Sequence, residues 1–299
     1  MPRRLGVSPI GWSNDDLPEL GGEIPLETCL AEAREAGFSG IELGNKFPRD
    51  PAALRPLLAH HELTLVSGWY GGRLLERPLA AEIEAVEPHL ALLVEMGCAV
   101  MVFAEVSGSI AGDRKRSLSA RPRLGPSDWR DFGQALSRLA EHLARRGIAM
   151  AYHHHMGTVV ESEDDIDRLM AATEEGVGLL LDTGHLVFAG ADPAAIAARY
   201  RQRINHIHCK DVRRDVLERV RAADTSFLGA VLDGVFTVPG DGFIDYHAFA
   251  RLLFEIGYEG WVVVEAEQDP AKAPPLEYSR MGHRHLTAAF EAAGYRIEQ

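Results

Sequence analysis

Cysteine is scarce in this chain: Cys29, Cys98 and Cys209 are the only three in 299 residues. They are too few and too far apart for a disulfide framework or a CxxC metal or redox pair. Cys29 and Cys98 stand in apolar surroundings and read as core fillers. Cys209, between His208 and Lys210, stays open to a role in a site. A basic excess is also lacking. Lys and Arg number 31 against 44 Asp and Glu, a formal net charge of -13, which argues against nucleic acid as a partner because its binders carry a basic face. The two local basic clusters, GDRKRS (112–117) and RYRQR (199–203), are of the size of solvated surface. No apolar run, GWVVVEA included, is long enough to span a bilayer. The opening MPRRLGVSPIGWSNDD has neither the apolar core nor the cleavage site of a signal peptide. The expectation is a cytoplasmic protein with a small neutral partner, bound to no nucleic acid and no membrane, with room for a homo-oligomer.

What is present is a regular alternation of short apolar runs and amphipathic segments. RLGVSPI (4–10), SGIELG (39–44), LTLVSGW (63–69), AVMVFAEV (99–106), IAMAYHHH (148–155), VGLLLDTGH (177–185), INHIHCKDV (204–212) and GWVVVEAE (260–267) read as strands. Helical spacing fills the intervals at 25–38, 50–61, 79–97, 128–147, 162–173, 192–203, 246–257 and 281–293. Asp50 and Pro51 form a helix-opening pair, acidic residues fill the first turn of 162–173, and Pro88 is expected to bend or interrupt its helix. Continuous apolar strands alternating with helices imply a parallel sheet covered on both faces. Eight such units fit one α/β domain over 1–299, a closed (β/α)8 TIM barrel. The doubly wound alternative lacks a GxGxxG after its first strand. The polar stretch 107–127 reads as an excursion from the barrel, of the kind that forms a lid.

In such a barrel the C-terminal strand ends converge on the active face. Here they carry Glu42, then Trp69, then Glu105, then His153, His154 and His155. Asp182 and His185 follow, then His206, His208, Lys210 and Asp211, and last Glu265 and Glu267. Alternation puts His153 and His155 on one face with His154 opposite, His206 and His208 together with Lys210, and Glu265 with Glu267. A single residue of this kind is usually a satisfied structural group. Four consecutive strands delivering imidazole and carboxylate to one end is different, because carboxylates so close repel unless a cation lies among them. Mixed nitrogen and oxygen ligands suit Mn, Co, Zn or Fe(II) better than Ca or Mg.

The stretches LDTGHLVFAG, HIHCKD and VVVEAEQDP resemble the xylose-isomerase-like barrels, which hold one divalent metal with Glu, Asp, His and Glu from strands five to eight. That resemblance implies Asp182, His208 and Glu265 as ligands. Strand five has no Glu, and His153 stands nearest its place; whether His153 or His155 is the ligand stays open. More narrowly, PIGWSNDDLPELGG, FSGIELGNKFPRD, AYHHHMGTVV, GVFTVPGDG and VVVEAEQDPAKA resemble the inosose dehydratases of myo-inositol catabolism along nearly the whole chain, triple histidine included. This implies a Mn2+ or Co2+ lyase that dehydrates a polyol ketone, scyllo-inosose, to a trihydroxycyclohexane-1,2-dione through metal-assisted enediolate formation. It also implies glutathione in some members, although no glutathione site is legible. Under this reading His155, His185, Glu267 or Glu42 is the base, and a protonated His or Lys210 the acid. Asn14, Trp69, Glu105, His206 and Arg213 are expected substrate contacts. Packing for Trp69, a turn at GWSND and a neighbour-bonding role for Glu42 are the structural alternatives. The alternative function is a ketose isomerase or epimerase on the same barrel. An endonuclease is opposed by the charge, and a binding protein would show no turnover.

Overall fold

Short runs such as VMVFAE and VGLLLD bury all six residues, so they need cover on both faces and a neighbour on both edges. Closure into a barrel provides both. The structure, a computed structural model, describes residues 2–298. Among them, eight parallel strands close on themselves: β1 (Pro2–Val7), β2 (Gly40–Leu43), β3 (Thr64–Gly72), β4 (Val100–Glu105), β5 (Ala149–His153), β6 (Val177–Asp182), β7 (Ile204–Cys209) and β8 (Val262–Val264). The last strand returns to the first through Leu5↔Val262, Gly6↔Val263 and Val7↔Val264. Amphipathic helices cover the outside. The helix Asp128–Arg145 turns Trp129, Phe132, Leu136, Leu139, Ala140 and Leu143 inward at helical spacing.

Several boundaries differ from the sequence reading, each for a local reason. The first strand stops at Val7 because Pro9 opens a short 3-10 turn capped by Ser8. The sixth stops at Asp182, which caps the helix Thr183–Ala189 by accepting from the His185 N–H at 2.8 Å. The seventh ends at Cys209, and Asp211–Val212 then pair antiparallel with Phe236–Thr237. The closing helix begins earlier, at Pro275, whose missing N–H costs nothing in a first turn. Pro88 sits inside a helix that runs unbroken from Leu79 to Met96. A terminal strand, Arg296–Glu298, pairs with the outer half of β1 and was not legible in the sequence.

A second apolar cluster lies over the C-terminal face. It gathers Leu17, Leu118, Met156, Phe188, Val216, Phe227 and Phe236 from the loops after β1, β4, β5, β6 and β7. The 107–127 excursion is part of this roof and is pinned rather than free. Arg121 pairs with Asp165 at 2.5 Å and Glu161 at 3.3 Å, and the Ser119 hydroxyl donates to Asp224 at 2.5 Å.

Candidate active site

Beneath the roof lies a cavity of about 420 Å³, lined by Asp15, Asp16, Glu42, Trp69, Arg73, Thr158, His155, His208, Glu265 and Glu267 among others. That size suits one small ligand. His208 and Glu265 line it, and with the buried His153 and Asp182 they bring one candidate ligand atom each within 4.8 Å of one another. Asp182 Oδ2 stands 3.7 Å from both His153 Nε2 and His208 Nδ1.

Neighbouring groups set the orientation of each of these side chains. The His153 Nδ1–H donates to the His154 carbonyl at 2.7 Å, which turns the Nε2 lone pair inward. His208 donates Nε2–H to Glu42 Oε1 at 3.0 Å, which leaves Nδ1 facing the cluster. Glu42 Oε1 also accepts from His206 Nε2 at 2.9 Å and from Ser67 Oγ at 2.6 Å. Outer partners of this kind fix imidazole tautomers in metal centres. Burial disfavours the Glu42 carboxylate, but His208 and His206 outweigh it and hold the group well below the usual carboxylate range. Asp182 divides its oxygens: Oδ1 caps the helix, and Oδ2 faces the cluster. Burial opposes its charge too, yet Lys210 and His185 keep it well below the usual range.

A divalent ion fits this donor set. Asp182 Oδ2, His208 Nδ1 and Glu265 Oε2 are buried without a directed hydrogen bond, even though the last two approach to 2.5 Å. Buried polar atoms without partners are costly, and a cation among these three and His153 Nε2 would satisfy all of them. Two imidazoles and two carboxylates suit a first-row transition metal.

Beside this cluster lies a second one, formed by His155, His185 and Glu267. The His155 Nδ1–H donates to the Met156 carbonyl at 2.9 Å, and Nε2 faces Glu267 Oε1 at 3.9 Å. Burial lowers the basicity of His155, but Glu267 overrides it and raises the imidazole above its ordinary value. Lys210 is wholly buried, with Nζ at 2.9 Å from Glu267 Oε2 and 3.0 Å from His185 Nε2. Lys210, expected as a proton donor to a leaving group, thus lies against both Glu267 and His185. His185 is likewise buried between Lys210, Phe227 and Phe236.

The expected substrate contacts divide. Trp69 is 42% exposed at the cavity mouth, its ring centroid 5.3 Å from that of His153 and 5.6 Å from that of His155. The other four are framework rather than lining. Asn14 is the turn former, its Oδ1 accepting from the Asp16 and Leu17 N–H groups at 2.8 Å. Glu105 accepts from the Leu74 and Ser107 N–H groups and so ties the β3 and β4 loops together. His206 lies under Glu42. Arg213 holds the Gly234 and Phe236 carbonyls and Asp241. Sequence reasoning missed Asp15 and Asp16, which face the cavity behind the Asn14 turn; two acids after a turn former at a strand end was the available signal. The enclosing walls raise the Asp15 carboxyl to about 6.

Fold and sequence together define a class, the closed (β/α)8 barrels of the xylose isomerase-like type, and the comparisons bear on that class. The family model described as xylose isomerase-like TIM barrel matches residues 30–289. The chain is 50% identical over 297 residues to the rhizopine catabolism protein MocC of Rhizobium meliloti, covering 99% of this chain and 91% of that one. It is 45% identical to an inosose dehydratase of Geobacillus thermodenitrificans, covering 95% and 96% of the two chains. A solved structure titled IOLI protein with a binding zinc atom superposes with a TM-score of 0.67 at 17% identity, over 96% of this chain and 98% of that one. The chain belongs to the xylose isomerase-like TIM barrel family and, within it, to the group that contains the inosose dehydratases and MocC.

Proposed function

We infer that this chain is an inosose dehydratase, a carbon–oxygen hydro-lyase that removes water from scyllo-inosose to give a trihydroxycyclohexane-1,2-dione. The observation that carries the reading is the convergence of a buried two-His, two-carboxylate cluster and an imidazole–carboxylate pair on one small cavity, in a chain 45% identical to an inosose dehydratase. His153, Asp182, His208 and Glu265 would hold the ion, Mn2+ or Co2+. When bound, it supplies Lewis acidity that stabilises negative charge developing on a ketone oxygen.

The chain's own residues do the proton work. Elimination takes a proton from the carbon beside the ketone and returns one to the hydroxyl leaving the next carbon. Glu267, kept ionised by Lys210 and His155 and lining the cavity, is the proposed base. His155, held protonated more readily than a free imidazole, is the proposed acid. Asp15 and Asp16 at the wall and Trp69 at the mouth contact the polyol hydroxyls and the ring. Glu42 takes no proton, because its Oε1 is already shared by two imidazoles and Ser67; it positions His208. Incubation of the metal-loaded protein with scyllo-inosose, followed by mass spectrometry, tests this. The product should be one water lighter than the substrate. A product of unchanged mass with an inverted or moved hydroxyl would make the chain an isomerase or epimerase.

A further inference from the structure

The second cluster has the make-up of another metal seat. His155, His185 and Glu267 are all buried and offer ligand atoms within 4.8 Å of one another. It is adjacent to the first cluster, and Lys210 lies between them. Its Nζ stands 2.9 Å from Glu267 Oε2 and 3.0 Å from His185 Nε2 on one side. On the other it stands 3.6 Å from Asp182 Oδ2 and 3.5 Å from Glu265 Oε2. These are a cation's contacts: three carboxylates and an imidazole lone pair around a wholly buried ammonium.

The fold is shaped to admit this side chain. Gly184 opens onto its stem, and a Cβ there would meet Lys210 Cγ at 2.6 Å and Cδ at 2.8 Å. The Thr183 hydroxyl accepts from the Lys210 N–H at 3.0 Å and donates to the Lys210 carbonyl at 2.9 Å. We propose that the Lys210 ammonium occupies the place of a second metal ion and so restricts this barrel to one. Formal charge supports the assignment. Asp182, Glu265 and Glu267 carry three negative charges; one divalent ion and one ammonium carry three positive. A second divalent ion beside the ammonium would leave excess positive charge in a water-poor interior, where it is costly. Lys210 is then a positioning residue. By fixing Glu267 Oε2 it leaves Oε1 facing His155.

This rests on the metal reading of the first cluster, and counting bound ions separates the two claims. Protein is stripped, loaded with excess Mn2+, desalted and analysed for metal per chain, with low-temperature electron paramagnetic resonance on the same samples. The native chain is expected to hold one ion with an uncoupled spectrum. Lys210→Ala, which vacates the seat, is expected to hold two with spin coupling, a twofold rise, and Lys210→Ala combined with His185→Ala is expected to return to one. A native chain with two ions overturns the proposal while leaving the metal reading intact. A native chain with none overturns both. A folded Lys210→Ala chain that stays at one ion also overturns it. Should that variant not fold, the native count still decides, since two ions contradict the proposal and one supports it.

Discussion

Asp182 serves two structures with two oxygens, and substitutions can separate them. Asp182→Asn keeps an oxygen to cap the Thr183–Ala189 helix but removes the charge that faces the cluster. The expected result is at least a tenfold loss of metal affinity with thermal stability changed by under about 1 kcal/mol, a loss of the kind seen when metal-site groups are altered. Asp182→Ala should lose the metal and a further ~1 kcal/mol from the missing cap. Metal content and urea unfolding of the two variants measure the difference. Asp15, on the cavity wall, gives a pH test. Its folded pKa of about 6 lies above the ordinary carboxylate value, so the folded state favours the protonated form. Stability therefore falls as pH rises from about 4 through 6, where the unfolded chain has already ionised. Asp15→Asn removes that penalty; it should raise the melting temperature at pH 7.5 and leave it nearly unchanged at pH 4. An equal shift at both would assign the gain to something other than ionisation. At this scale the sequence was informative about residue type and poor about direction. Strand alternation separated His154 from His153 and His155, and His154 indeed turns away, its Nε2 accepting from the Asp182 N–H at 3.3 Å. Alternation could not show that His206 ends under Glu42, or that Lys210 lies against Glu267, because those outcomes depend on side-chain length and on partners from other strands.

The elements that carry the site were legible because each is an apolar run ended by a polar one, and what ends a run sits at the barrel's upper rim. Boundaries were less legible. A side chain that caps, such as Asp182, ends a strand without any change in hydropathy, and Pro88 fits inside a helix because the neighbouring turns hold. The 107–127 excursion read as a lid, but Arg121 and Ser119 tie it down through acids far away in sequence, and pairing of that kind has no local signature. Close packing between elements makes its own prediction. Gly184→Ala would drive a methyl group into the Lys210 stem. The variant should lose about 1–3 kcal/mol in urea unfolding, the usual cost of overpacking a rigid site. Gly112→Ala on the roof loop, which meets nothing within 4 Å, should be close to neutral.

For the whole molecule, the parallel closure of β8 on β1 is what brings strands five to eight to one face, and so brings a (β/α)8 alternation legible along the chain to a single centre. Closure is buttressed by the terminal strand on β1 and by Tyr295, buried against Phe254 and Phe290. Tyr295→Ala should cost about 3–5 kcal/mol, typical of a deleted core aromatic, while metal bound per folded chain stays the same. No helix of the described residues is long and apolar enough to cross a membrane. The buried His, Asp and Glu clusters adjoin one cavity. The most direct test of the account is therefore made on the intact chain. Metal-stripped protein is given scyllo-inosose with Mn2+, with Co2+ or with neither, and the ultraviolet absorbance of the dione is followed. Dione formation that depends on added metal and disappears in Asp182→Asn is the predicted result. Dione formed at full rate by the stripped protein, or by none of the three samples, would contradict it.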